Sequence, residues 1–231
     1  MRCENLRVYI IHYTPFVERR AHMETLLGIH GLDRFPVRWI SEHDREEILE
    51  DYQAGKYGDP AKIAASSVSL ILKHLAAYRM AAAEPEGLHL ILEDDILVKP
   101  GLLDAMETRL SELPEDWELF FIGEGCNLHV PWWRRRPGQR VYFRGWKPWF
   151  RGGAGTSRCT EAYFVRPAFA RRFLDSKFAR WPWGDTAIDW LLAEAGYDLH
   201  IRSYWAEPPL ITQGAFQSWT LDPKLNPRLR S

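Results

Sequence analysis

The sequence predicts an α/β domain built on a mostly parallel central sheet. Three observations carry that reading. Short β-branched and aromatic runs alternate along the chain with segments of helical periodicity. The strand-like runs are apolar almost throughout, as strands covered on both faces are. The chain's 231 residues make one large domain or two small ones, enough to bury a core without disulfides or metal.

Taken in order, Leu6 to Tyr13 (LRVYIIHY) reads as a buried strand. Val17 to Ile29 sets Met23, Leu26, Leu27 and Ile29 at helical spacing, and Gly31 is its stop. Phe35 to Ile40 reads as a second strand and Arg45 to Tyr52 as a short acidic helix. A Gly- and Pro-rich loop covers 55–60. The longest helical pattern runs from Ser66 to Ala83, with Val68, Ile71, Leu72, Leu75 and Tyr78 on one side. Pro85 and Gly87 end it, and Leu88 to Leu92 (LHLIL) follows as a strand that runs straight into Glu93, Asp94 and Asp95. Pro100 opens a helix reaching Leu110, and Glu118 to Ile122 (ELFFI) is a further central strand. Beyond lie a strand at Ala162–Val165, helices at Pro167–Leu174 and Thr186–Ala195, and a last strand at Leu199–Tyr204.

The 125–160 stretch stands apart: it holds no Asp or Glu, and interleaves Arg134, Arg135, Arg136, Arg140, Arg144, Lys147, Arg151 and Arg158 with Trp132, Trp133, Trp146 and Trp149. It reads as a basic, Trp-rich insertion or lid facing an acceptor or a membrane, against the plainer alternative of a solvated loop. Residues 1–221 are expected to form one domain and 222–231, with Pro223 and Pro227, a surface tail.

Composition narrows the function. Thirty basic against 31 acidic residues leave a net charge of −1, which excludes a generally basic nucleic-acid binder and an acidic disordered chain. No apolar run approaches the roughly 18 residues that span a bilayer. Arg2, Glu4 and Arg7 interrupt the first apolar stretch, a strand pattern and not a signal peptide. Cys3, Cys126 and Cys159 are odd in number without a CxxC pair, which points to reduced thiols and a cytoplasmic protein. Eleven Trp suit either sugar stacking or a large core.

Three consecutive carboxylates at a strand end repel one another, and either water or a divalent cation such as Mg²⁺ or Mn²⁺ relieves them. Asp185 and Asp189 are four apart and would share a helix face; one of them could take a proton from a hydroxyl, while Asp185 could equally cap the helix. Glu161, beside the Ala162 strand, is a further candidate base. Of Arg19 and Arg20 at most one is expected to grip a diphosphate.

LHLILEDDILVKPGLL resembles the Glu-Asp-Asp motif of glycosyltransferase family 25, the group that includes lipooligosaccharide galactosyltransferases. Val8-Tyr9-Ile10-Ile11 with Glu18-Arg19-Arg20 and Met23, Leu72-Lys73-His74-Leu75 with Tyr78, and Ala162-Tyr163-Phe164-Val165 resemble further segments of that family, in order. So does Tyr204-Trp205-Ala206-Glu207-Pro208-Pro209-Leu210 with Gln213 and Ser218. The resemblance implies a GT-A-like nucleotide-sugar-binding fold, a UDP-sugar donor, Mn²⁺ or Mg²⁺, and transfer of a hexose such as galactose, with inversion, to a saccharide or glycolipid acceptor. It implies Glu93 near the donor ribose and as a metal ligand, Asp95 on the metal and diphosphate, Asp94, His12, Arg20, His74 and Gln213 around the donor, and Asp189 or Asp185 as base. His12 and Lys73 depart from the family, which usually has Asn and Ser there. A non-catalytic relative and another metal-dependent phosphoryl or nucleotidyl enzyme are the competing readings. The implied setting is the cytoplasm, with peripheral contact at the inner face of the membrane.

Overall fold

The computed structural model describes residues 3–144 and 156–214. Nine strands and six helices follow one another in this order: β1 (Leu6–Ile11), α1 (Val17–Ile29), β2 (Val37–Ile40), α2 (Leu49–Gln53), α3 (Ala65–Ala83), β3 (Leu88–Glu93), β4 (Ile96–Val98), α4 (Leu102–Leu110), β5 (Leu119–Phe121), β6 (Val141–Arg144), β7 (Ala162–Val165), α5 (Pro167–Asp175), α6 (Ile188–Asp198), β8 (Ser203–Ala206) and β9 (Ile211–Gln213) among the described residues. Seven of the strands form one sheet in the order β2-β1-β3-β7-β5-β8-β6. β1 runs parallel to β2 and β3, and β5 to β8. β7 is antiparallel to both its neighbours and β6 to β8. The sheet is therefore mixed but largely parallel, with β6 and β7 reversed.

Alternation along the strands builds two cores. Tyr9, Ile11, Ile91, Phe121 and Tyr163 pack on one face against α3, α5 and α6. Val8, Ile10, Leu90, Leu92, Phe120 and Phe164 pack on the other against α1 and α4. Both faces are covered, which is why the strands read as unbroken apolar runs.

Several boundaries differ from expectation. The helix expected from Thr186 begins at Ile188, because Ala187 is extended (φ −79°, ψ 164°). Asp185 accordingly lies on an exposed turn, neither capping α6 nor sharing a helix face with Asp189. The strand expected from Leu199 starts at Ser203, since His200 takes a left-handed conformation (φ 51°) that ends α6 and turns the chain. The acidic helix is confined to Leu49–Gln53. The basic stretch is not one solvated loop: Val141–Arg144 pairs with β8 at the sheet edge, and Arg158 is wholly buried, donating to carbonyls of Leu128 and Ala206. Trp146, Lys147, Trp149, Arg151, Ser218 and the tail lie outside the described residues.

Candidate functional site

β1, β3 and β5 end at the same edge of the sheet, and reversed β7 begins there. That arrangement gathers His12 beyond β1, the Glu93–Asp95 triplet at the end of β3, the Gly123–Gly125 turn beyond β5, and Thr160 with Glu161 ahead of β7. The small antiparallel pair β4–β9 sets Gln213 opposite Ile96, alongside Asp95. Ligands of open α/β sheets sit beyond such strand ends.

The triplet divides its work. The Glu93 carboxylate accepts from the Thr160 hydroxyl at 2.6 Å. Asp94 is buried and fully engaged: His12 Nδ1 and Arg19 Nη1 each reach it at 2.8 Å, and the Tyr13 amide donates at 3.3 Å. Burial alone would raise the Asp94 carboxyl, but the His12 and Arg19 hydrogen bonds outweigh it and hold it below the usual range. Asp95 is buried too, yet among the described residues its carboxylate meets only Gln213 Nε2 at 3.3 Å and Arg19 Nη1 at 3.4 Å, both through Oδ2. Its Oδ1 is buried without a hydrogen-bond partner among the described residues. Burial, then the neighbouring Glu93 charge, push the Asp95 carboxyl up to about 6.

His74 lies fully buried on α3. Its Nδ1 meets the Tyr163 hydroxyl at 2.8 Å, which in turn meets the Tyr78 hydroxyl at 2.6 Å. That chain orients the ring so that Nε2 stands 3.7 Å from Glu93 Oε1 with no hydrogen-bond partner among the described residues. Lys73, one residue before, is committed elsewhere: it pairs with Asp44 at 2.7 Å and donates to the Glu42 carbonyl at 2.9 Å. Beside these groups is a cavity of about 150 Å³ whose lining includes Tyr13, Phe16, Arg19, Arg45, Ser69 and Lys73.

Two further carboxyls, Glu161 and Asp189, each feel the Glu93 charge. Glu161 is buried and accepts from the Gly125 amide, and burial pushes it up to about 7. A Cβ on Gly123 would overlap that carboxyl, so the close approach requires glycine. Asp189, in the first turn of α6, is raised chiefly by burial, with the Glu93 charge contributing.

The structure thus brings Glu93, Asp94, Asp95, His12, His74 and Gln213 together. Asp189 is close enough to feel Glu93, whereas Asp185 is exposed. Arg20 is not at the triplet: it pairs with Glu24 at 2.8 Å and stacks 3.7 Å over the Trp39 ring, and Arg19 takes the inward place. Sequence reasoning passed over Thr160, Tyr13, Phe16 and Arg45. Thr160 and Glu161 precede the Ala162 strand and reach the site only because that strand runs backwards.

Among the described residues no three His, Cys, Asp or Glu side chains converge in metal-ligand geometry. The donors on hand are the free Asp95 Oδ1 and the Glu93 carboxylate. Hard oxygens in that number fit Mg²⁺ or Mn²⁺, which bind through one or two carboxylates plus substrate phosphates and keep several waters.

No protein-family model and no curated protein sequence matches this chain. Among solved structures, it is similar to a glycosyltransferase involved in the glycosylation of the major capsid of PBCV-1. The identity is 11%, the likeness covers 97% of this chain and 98% of that one, and the TM-score is 0.42, a similarity of broad outline.

Proposed function

We propose that this chain is a glycosyltransferase of the GT-A type, related to family 25, that moves a hexose from a UDP-sugar to a saccharide or glycolipid acceptor. The observation that carries the reading is Asp95: a buried carboxylate with one oxygen unpartnered among the described residues, just past a strand end whose Glu93 and Asp94 line a cavity, and within reach of Arg19. A group so placed costs stability and suits a charge that arrives with a ligand.

In this reading the cavity takes the nucleoside, with Tyr13 and Phe16 supplying aromatic surface and Arg45, 4.1 Å over the Tyr13 ring, closing one side. Glu93 accepts from a ribose hydroxyl. Asp95 and Glu93 would hold a divalent cation, which when bound neutralises charge on the departing diphosphate. Arg19 adds a positive charge to the same place, while Asp94 and His12 hold Arg19 and the β1 end in position. His74 Nε2, kept in place by Tyr163 and Tyr78, faces Glu93 and would steady the carboxylate that meets the donor.

The attacking acceptor hydroxyl must lose its proton as the bond to the anomeric carbon forms. Asp189 is the preferred base, since its raised affinity for protons is what such a step needs and it opens α6 toward the site. Glu161 is the alternative, but its carboxyl is occupied by the Gly125 amide. Inversion at the anomeric carbon and galactose as the hexose follow the family resemblance.

Titration of UDP into the protein with Mn²⁺ and with EDTA tests the donor half of this reading. Binding should need Mn²⁺ and weaken at least tenfold or so in Asp95→Ala. Binding of equal strength in EDTA and in Asp95→Ala would remove the metal from the account.

A further inference from the structure

We propose that the turn carrying Trp132 to Arg136 is a docking surface for an anionic phospholipid bilayer. Trp132 is 77% exposed and Trp133 62%, the two most exposed tryptophans among the described residues. Arg134, Arg135 and Arg136 follow directly. Arg135 is the root of the turn: it donates to the Val130 carbonyl at 2.7 Å and stands 3.5 Å from buried Glu207. Among the described residues no carboxylate pairs with Arg134 or Arg136.

The turn is built to hold its indoles outward. Pro131 and Pro137 bracket it. The amides of Arg134 and Arg135 close a 3₁₀ turn onto the carbonyls of Pro131 and Trp132, and the Arg136 amide donates to the Tyr142 hydroxyl at 3.0 Å. These bonds hold the backbone of the turn before any partner arrives, which lowers the cost of binding. The cost of leaving two indoles in water is met when they enter a headgroup layer, where an apolar ring with a polar N–H is most at home.

The occupant follows from shape and charge. The two indoles stand at 87° with ring centres 5.9 Å apart, so they offer edges and not the flat floor on which a sugar stacks. The 125–160 stretch has no acidic residue, which matches a negatively charged lipid surface. A nucleic acid is disfavoured by the overall charge of −1.

The placement has a consequence. β6 begins at Val141 opposite Ala206, the carboxyl end of β8, so the turn leaves from the same edge of the sheet as the Asp95 site. A docked molecule would face its site toward the lipid, and an acceptor carried on a lipid would be within reach. That consequence rests on the transferase reading; the docking does not.

Co-sedimentation with vesicles tests it, one set of phosphatidylcholine alone and one of phosphatidylcholine mixed with phosphatidylglycerol. The protein should sediment with the mixed vesicles only, less as salt is added. Trp132→Ala/Trp133→Ala should weaken partitioning by roughly tenfold or more. Arg134→Gln/Arg136→Gln should weaken it by about fivefold per arginine. All four side chains lie away from the Asp95 site, so UDP binding should be unchanged in both variants. No sedimentation with mixed vesicles at low salt would overturn the proposal, as would equal sedimentation of wild type and the tryptophan variant. Either result would leave the turn to a protein or saccharide partner.

Discussion

Function and stability pull apart at Asp95. Its carboxyl is raised to about 6 by burial and by Glu93, from an ordinary carboxylate value in the unfolded chain. The folded protein therefore holds this proton more tightly than the unfolded one. The contribution to stability is full below the unfolded value of about 4, and is lost as pH rises through about 6. Above that the folded state carries a buried charge. Asp95→Asn removes the titration. In metal-free protein the variant should match wild type near pH 4 and exceed it at about pH 8 by on the order of 1–3 kcal/mol. Urea unfolding in EDTA at both pH values would show this, and a gap that does not change with pH would contradict it. The triplet's place at the end of an apolar strand was legible. The division of labour within it was not. Asp94 is consumed by His12 and Arg19, and a three-residue string carries no sign of which carboxylate is paired.

At the scale of elements, α6 is positioned by a contact the sequence does not advertise. The Thr156 side chain lies against Gly196, its hydroxyl donating to the Leu192 carbonyl at 3.3 Å, and a Cβ on Gly196 would overlap it. Gly196→Ala should therefore destabilise by about 1–3 kcal/mol through overpacking, although alanine is the better helix former by roughly 1 kcal/mol. Adding Thr156→Gly should recover much of the loss, and thermal unfolding of the single and double variants measures both. If Gly196→Ala is neutral or stabilising, α6 does not rest on this contact. Long helices such as α3 were legible within a residue because Val68, Ile71, Leu72, Leu75 and Tyr78 repeat at the helical period. Three-residue strands such as β4 and β9 have no room for a period, so their pairing, which delivers Gln213 to Asp95, was not legible. Asp185 and Asp189 looked like helix neighbours by spacing. Extended Ala187, the cap of α6, separates them.

For the whole molecule, alternation of strands and helices fixes the class but not strand direction. β7 is as apolar as β3 and β5 on either side of it, and nothing in AYFV says that it runs against them. Its reversal carries Thr160 and Glu161 to the edge where β1, β3 and β5 end, and adds a fourth carboxylate to the three of the triplet. Even so, the edge itself could be read in advance, since the acidic triplet falls at the end of LHLIL.

Release of UDP from a panel of UDP-sugars, with and without Mn²⁺, tests the central claim most directly. Slow hydrolysis in place of transfer means that the acceptor need not be known. The account predicts Mn²⁺-dependent release from one sugar donor and its loss, by about a hundredfold or more, in Asp95→Ala. Folded protein that releases UDP from no donor and binds none of them would contradict it, as would release that continues unchanged in Asp95→Ala.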